Sequence, residues 1–355
     1  MKYKLTGCLA LTLIAISGTA CSSKDSASSI YDKGVSYLED GKYGEAATSF
    51  EQAVEKDRDN SEYSVYYGMA LIKTGEYDKA VEVFDQAIKE GSKKKIVKAN
   101  KEAYRGKGIA YYSLNKYEEA YQSFENALAI DELEDLDQDI KEYLGECYVA
   151  VKQYDKAITI YSELIKEDKK QYAYYINKAK ALKLSGNEKA SKDTLNEALK
   201  LKQKSDEDKY NAALVHYYLG NQEEATHTLY EIKDSYGEAY AMLGDIYMEK
   251  KDYDDAITYY EAYLSKEKTK DTSHTSFKLS NCLIAKKNYK KAIVVIEEAL
   301  GGQTIEYKQQ LMYNEVLSYE YNADFEHAYT LAKEYMKEYP ADQAMARELV
   351  FLETR

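Results

Sequence analysis

The sequence predicts an all-α protein built from repeated pairs of helices, and three observations carry that prediction. The chain of 355 residues contains one proline, and proline interrupts a helix at a cost of about 3 kcal/mol. Lysine, glutamate, alanine and leucine, which favour helices, are abundant. A ten-residue pattern, "GKYGEAATSF" from Gly41, returns as "GEYDKAVEVF" from Gly75 and "KDYDDAITYY" from Lys251. A chain that repeats itself in this way grows as an array rather than as separate globular domains.

The repeat is centred on a small residue in the middle of the decamer. Aligned copies place alanine, or serine once, at steps of 31 to 40 residues: Ala46, Ala80, Ala120, Ala157, Ser191, Ala225, Ala256, Ala292 and Ala328. Around Ala46, Gly34 lies twelve residues before and Phe50 four residues after, and most other copies keep a small residue and a bulky one there. Offsets of three, four and seven share one helix face. The decamer therefore begins the second helix of a helix-turn-helix unit, and the small residues allow its two helices to approach closely.

A single unit of this kind needs its neighbours. Two helices of roughly 14 residues are marginal in water, so the units must stack to bury their apolar faces. We assign residues 30–340 to an array of about nine units. Residues 341–355 carry Met345, Leu349 and Leu352 at helical spacing. We expect this segment to be a C-terminal capping helix over the last unit.

The pattern G-x2-Y followed by A-x3-F-x2-A, at a step near 34 residues, resembles the tetratricopeptide repeat (TPR) family. The resemblance implies a right-handed superhelical solenoid whose first helices line a concave surface. The chain departs from the family pattern because it has no tryptophan and keeps the proline after the second helix only as Pro340. The units around "GNEKASKDTL" and "GNQEEATHTL" also lack the aromatic residue that starts the second helix.

The first residues follow the layout of an export signal. A basic start, an apolar run from Leu5 to Ile16 and the small residues of "SGTAC" precede Cys21. Residues 1–21 resemble a bacterial lipoprotein signal peptide and lipobox, which implies cleavage after Ala20 and lipid attachment, including palmitate, at Cys21. The alternative is an ordinary signal peptide with an incidental cysteine. Residues 22–29 would form a flexible polar tether. We expect an exported protein anchored by lipid to the outer face of the bacterial cytoplasmic membrane, in the cell envelope.

Charge and residue usage disfavour several function classes. The net charge of −13 becomes −15 after removal of Met1 to Ala20, and an acidic surface repels nucleic acid. Two cysteines outside the signal region, Cys147 and Cys282, lie four repeats apart, so a disulfide is not expected. The four histidines show no ligand spacing. We find no catalytic motif, metal cluster or phosphate loop, so the sequence predicts a non-enzymatic protein without a cofactor or metal.

The resemblance implies that a protein or peptide partner docks in the groove of the first helices. The candidate lining residues are Tyr66, Met69, Arg105, Ile109, Tyr112, Tyr143, Glu146, Asn177, Lys180, Tyr210, Asn211, Tyr217, Asp245, Lys278, Asn281 and Tyr313. Aromatic and amide groups suit an extended peptide or a helix. The stretch containing Asp139, Glu142 and Glu146 favours a basic segment. Most of the 39 tyrosines occupy the packing positions of the repeat and are expected in the core.

The function predicted from these features is a membrane-anchored scaffold for protein–protein interaction. One alternative is a solute- or glycan-binding lipoprotein with a discrete deep pocket. Another is a structural component of an envelope assembly. Two insertions, the basic "GSKKKIVKAN" and the acidic "DELEDLDQDIKE", either pair with each other, present a bipolar patch, or are solvated helix ends.

Overall fold

The protein is represented by a computed structural model that describes residues 26–267, 272–302 and 307–355. The predicted signal peptide, Cys21 and the first half of the tether, residues 22–25, lie outside these residues. Within them, the regular secondary structure is nineteen α-helices and one 3-10 helix, which confirms the all-α prediction. The first helix begins at Ala27, so residues 27–29, assigned to the tether from the sequence, are helical.

The helices follow one another as pairs in two compact units, one ending at Glu197 and the other beginning at Ala198. The first unit contains α1 (Ala27–Glu39), α2 (Tyr43–Lys56), α3 (Ser61–Thr74), α4 (Tyr77–Ala87), α5 (Lys94–Ser113), α6 (Tyr117–Leu128), the 3-10 helix (Glu134–Leu136), α7 (Asp137–Ala150), α8 (Tyr154–Glu167), α9 (Tyr172–Leu184) and most of α10 (Glu188–Ala198). The second unit contains α11 (Asp206–Leu219), α12 (Gln222–Ile232), α13 (Glu238–Glu249), α14 (Tyr253–Lys266), α15 (Ser273–Ala285), α16 (Tyr289–Leu300), α17 (Lys308–Tyr321), α18 (Phe325–Glu338) and α19 (Gln343–Leu352).

Every helix pair turns on a residue with positive φ, five positions before the central small residue. The nine turn residues are Gly41, Gly75, Asn115, Lys152, Gly186, Gly220, Lys251, Lys287 and Ala323, with φ between 57° and 86°. The weakest repeats in sequence, which turn at Gly186 and Gly220, have the same turn as the others. This regularity fixes the register of all nine helix pairs.

The core is built by rings that fill the space beside small residues, as the alignment predicts. Phe84 is fully buried, and a Cβ atom at Gly68 would lie 2.6 Å from its ring. Gly106, from the following pair, approaches the same ring so closely that a Cβ atom there would lie 2.3 Å away. Phe50 has the same relation to Gly34, with a distance of 2.7 Å. A larger side chain at these glycines would push the helices apart.

The last helix pair is covered by the single helix α19. Its residues Met345 and Leu352 are buried and pack in one cluster with Val316 of α17 and with Ala332 and Tyr335 of α18. Asp342 caps the start of α19 by accepting hydrogen bonds from two backbone N–H groups. This segment therefore buries the apolar face that the last pair would otherwise expose.

The two insertions extend the helices around them and contact each other. The basic insertion begins α5, which has 20 residues. The acidic insertion contains the 3-10 helix and the start of α7. Lys94 Nζ lies 3.5 Å from Glu132 Oε2, so the two insertions pair. Beside them, Lys101 is fully buried, donates to the Ile130 carbonyl over 2.9 Å and pairs with Asp137 over 2.6 Å.

Candidate partner-binding face

The first helices of successive pairs lie side by side in the first unit, and their side chains bond across the junctions. Arg105 Nε on α5 donates to Asp139 Oδ2 on α7 over 2.6 Å. Two turns further along, the Tyr112 hydroxyl donates to Glu146 Oε2 over 2.5 Å. The structure thus brings three of the predicted groove residues together, and it shows that they bond within the array.

Two of the predicted tyrosines on this side are packing residues. Tyr143 stacks on Phe124 with ring centroids 5.5 Å apart and meets the edge of Tyr112 at 5.2 Å. Tyr66 is half-buried, with its centroid 5.6 Å from Phe50. Their rings support the surface more than they offer free faces to a ligand.

Several carboxyl groups on the first helices α5 and α7 have raised pKa values. Burial, followed by the charge of Glu62, raises the pKa of Glu102 on α5 to about 7. Burial also raises the pKa of Glu142 and of Glu146 on α7, against the hydrogen bonds from Tyr174 and Tyr112. A carboxylate with a raised pKa gains from an added cation. We call the surface of α5 and α7 that carries Glu102, Arg105, Asp139, Glu142 and Glu146 the acidic face.

Glu102 is a residue that sequence reasoning missed. Among the described residues it makes no hydrogen bond or ion pair, although it is half-buried. A signal was present, because Glu102 precedes Arg105 by three residues and therefore shares its helix face. The repeat pattern drew attention to positions closer to the turn instead.

Several predicted groove residues of the second unit form hydrogen bonds and an ion pair within the array. Lys278 Nζ on α15 lies 2.7 and 2.8 Å from the two carboxylate oxygens of Asp245 on α13. The Tyr260 hydroxyl donates to the same carboxylate over 2.7 Å. Asn281 on α15 accepts a hydrogen bond of 2.7 Å from Asn314 on α17. These contacts tie three consecutive first helices together and leave the polar groups little capacity for a ligand.

Other predicted groove residues take different places. Ile109 and Asn177 are buried, with 2% and 8% exposed, so they belong to the interior and the prediction of an exposed position was wrong. The Tyr217 hydroxyl bonds Glu249. The rings of Tyr210 and Tyr313 lie 5.1 Å from Tyr236 and 6.2 Å from Tyr335. Met69, Lys180 and Asn211 are half-buried on first helices.

The described part of the chain gives no sign of a metal site or a membrane span. In residues 26–267, 272–302 and 307–355, no group of three or more histidine, cysteine or acidic side chains is arranged to hold a metal ion. No helix in these ranges combines the length and the apolar character that crossing a membrane requires. Cys147 and Cys282 are buried free thiols, and burial raises the pKa of both.

Comparison with known families agrees with the helix pairs. Models of the tetratricopeptide repeat match residues 31–95, 111–177, 172–205 and 237–265, which together are more than half of the chain. The chain belongs to the tetratricopeptide repeat family. Proteins of this family act as scaffolds for protein–protein interaction. The repeats of this chain support the same general role.

A comparison with curated protein sequences finds no match. Among solved structures, a crystal structure of MamA protein has 19% identity and a TM-score of 0.43, over 50% of this chain and 92% of its own. A MamA structure from Desulfovibrio magneticus RS-1 has 20% identity and a TM-score of 0.44, over 51% and 97%. PilF of Pseudomonas aeruginosa has 16% identity and a TM-score of 0.45, over 59% and 92%.

Proposed function

We propose that this tetratricopeptide protein docks a basic segment of a partner protein on its acidic face. The observation that carries the proposal is Glu102, a half-buried carboxyl group without a partner among the described residues and with a pKa raised to about 7. A lysine or arginine from a partner would pair with this carboxylate and lower its pKa. The free energy of that ion pair would contribute to the affinity for the partner.

The neighbours of Glu102 suit the same type of ligand. Asp139 already holds Arg105, which shows that the face accommodates a guanidinium group beside a carboxylate. Glu142 and Glu146 add negative charge on the next first helix. A segment with two or more basic residues would contact both helices, so affinity would be spread over successive repeats.

The test compares neutral isosteres with a matched control. The probe is a synthetic twelve-residue peptide of alternating lysine and alanine, titrated by calorimetry at low salt. We expect Glu102→Gln together with Glu142→Gln to weaken binding at least five-fold, while Glu118→Gln, an exposed change on α6, leaves it unchanged. Charge reversal at Glu146 is a poorer test, because the Tyr112 hydrogen bond would be lost as well.

Equal affinity for the double variant and the control would contradict docking on this face. A fall in helicity of the double variant would make the comparison invalid, so circular dichroism is recorded for each protein. The affinity should also decrease as salt is raised, because exposed charge pairs are screened.

We also propose that the protein is an exported lipoprotein held at the membrane through Cys21. The supporting observations are the apolar run and the small residues before Cys21 in the sequence. Three acyl chains, at about 0.8 kcal/mol per buried methylene, would hold it firmly. Intact mass of the membrane fraction should show acyl chains on Cys21, and Cys21→Ala should release the protein or leave the signal uncut. An unmodified protein in the soluble fraction would contradict this proposal.

A further inference from the structure

One type of ion pair recurs at junctions between successive repeats. At four junctions, a carboxylate lies five residues after the central alanine of one repeat, and a lysine of the next repeat pairs with it. In three of these junctions both partners lie on second helices, and in the fourth the lysine, Lys107, lies on the first helix α5. The pairs are Lys79 with Glu51, Lys107 with Asp85, Lys156 with Glu125, and Lys291 with Glu261. Three of these lysines occupy the same position, one residue before the next central alanine. The chain thus supplies its own cation at these junctions.

Two of these junctions also place a tyrosine under the lysine. The Tyr148 hydroxyl donates to Glu125 over 2.5 Å, and Lys156 Nζ lies 5.0 Å from the ring centroid. Tyr67 has the same relation to Lys79, whose Nζ lies 5.3 Å from the centroid. The carboxylate and the ring face together form a receptor for an ammonium group.

The last junction keeps the receptor and lacks the lysine. Glu297 on α16 occupies the carboxylate position and accepts a hydrogen bond of 2.9 Å from the Tyr319 hydroxyl on α17. At the lysine position stands His327, whose Nδ1 lies 2.8 Å from Asp324 Oδ1 and whose ring stacks on Tyr319. In the described part of the chain, no lysine or arginine pairs with Glu297.

A second carboxyl group lies at the base of this junction. Glu315 on α17 occupies the position that Tyr67 holds on α3, thirteen residues before the central alanine. Its side chain has no hydrogen bond or ion pair with any described residue, and the residue is 8% exposed. Burial, with the charges of Glu297 on α16 and Glu334 on α18, raises the pKa of Glu315 to about 7. Glu315 is therefore a buried acid that faces two other acids.

We propose that the junction of α16, α17 and α18, which carries Glu297, Glu315, Glu334 and Tyr319, receives a lysine side chain from a partner protein. The partner's ammonium group would take the place that Lys79, Lys156 and Lys291 take at three other junctions. Burial of the ionised Glu315 carboxylate is unfavourable, and a cation close to it would offset that free-energy cost. This junction belongs to α16, α17 and α18 of the second unit, whereas the acidic face belongs to α5 and α7 of the first unit. This site therefore goes beyond the proposed docking function and does not depend on it.

The test follows the carboxyl carbons of glutamate by NMR in the full chain, using tetralysine as the probe and fully acetylated tetralysine as its control. We expect tetralysine to lower the pKa of Glu315 by at least one unit and acetylated tetralysine to leave it unchanged. The carboxyl of Glu261, which already pairs with Lys291, serves as the internal control and should not respond.

Two variants separate this site from general attraction between charges. Glu315→Gln is nearly isosteric and should remove the response of Glu297 to tetralysine. His327→Lys places an ammonium group at the position of Lys79, Lys156 and Lys291. It should lower the pKa of Glu315 without any peptide and abolish the further shift on adding tetralysine.

An unchanged pKa of Glu315 at saturating tetralysine would overturn the proposal. A shift of the same size in the His327→Lys variant would also overturn it, since this junction would then not be the place of binding. Tetralysine that shifts Glu102 while Glu315 stays unchanged would refute this site and leave docking on the acidic face standing.

Discussion

The turn at Gly75 allows the backbone argument for the repeat to be tested without interference from packing. Gly75 has φ of 83°, and a Cβ atom there would meet no heavy atom within 4 Å. In Gly75→Ala the only folded-state cost is the left-handed conformation, about 1–2 kcal/mol for an L-residue. Alanine also lowers the conformational entropy of the unfolded chain, which stabilises the folded state by about 0.4–1 kcal/mol. We expect a net loss of about 1 kcal/mol in the free energy of unfolding.

The reverse change should stabilise the protein. Ala323 holds the same turn position with φ of 64°. Ala323→Gly therefore removes the backbone strain of the folded state, but it also raises the conformational entropy of the unfolded chain. The expected net gain is about 0.5–1 kcal/mol from the same two terms. Gly44→Ala is the control, because Gly44 lies within helix α2 with open space around its Cβ position. That variant should be neutral or slightly stabilised, since alanine favours a helix.

The assay is urea unfolding followed by circular dichroism at 222 nm. Repeat arrays can depart from two-state unfolding, so a second probe, tyrosine fluorescence, must give the same midpoint before free energies are compared. A Gly75→Ala protein as stable as the Gly44→Ala control would refute the reasoning. So would a loss of stability in Ala323→Gly, because the turn would then not be strained by its side chain.

Three further predictions concern packing, protonation and a buried charge. Gly106→Ala should cost about 1–3 kcal/mol in urea unfolding, because its Cβ atom would lie 2.3 Å from the Phe84 ring; Phe84→Leu in the same chain should recover part of that loss. Burial raises the pKa of Glu315 from 4.5 to about 7, so the folded state binds more protons than the unfolded state between these values. The contribution of Glu315 to stability should therefore fall by up to about 3 kcal/mol as pH rises from 4.5 to above 7. Thermal melts of Glu315→Gln should show a smaller slope than the unchanged protein, with Glu102 supplying part of the slope that remains. Lys101→Met should cost about 1–3 kcal/mol in the same urea assay by leaving Asp137 without its partner, and an unchanged midpoint would contradict it.

The packing of the repeat could be predicted from the sequence because it depends on local periodicity. The spacing between Gly34 and Phe50 already fixes which side chains meet, since both lie on helices joined by one short turn. The sequence left open the exact register of the repeats that turn at Gly186 and Gly220, because they lack the aromatic residue that starts the second helix; in the structure they have the same turn as the others. The turn conformation itself was less visible, because lysine at Lys152 gives no sequence sign of a left-handed backbone.

The binding face was harder to predict because it depends on contacts between repeats. Arg105 and Asp139 are 34 residues apart, and whether they bond or face solvent is set by the lateral alignment of α5 and α7. Ile109 was expected at the surface, yet neighbouring helices cover it. Glu102 and Glu315 became apparent only from burial, since one glutamate among many on an acidic chain has no distinctive sequence pattern.

The common turn of the nine helix pairs has a consequence for sequence variation. Five of the nine turns keep the left-handed bend without glycine, at Asn115, Lys152, Lys251, Lys287 and Ala323. Each such replacement costs little against the burial shared by adjacent hairpins. The backbone of the repeat therefore tolerates substitution at the turn, and helix pairs can differ widely in sequence while keeping the same conformation.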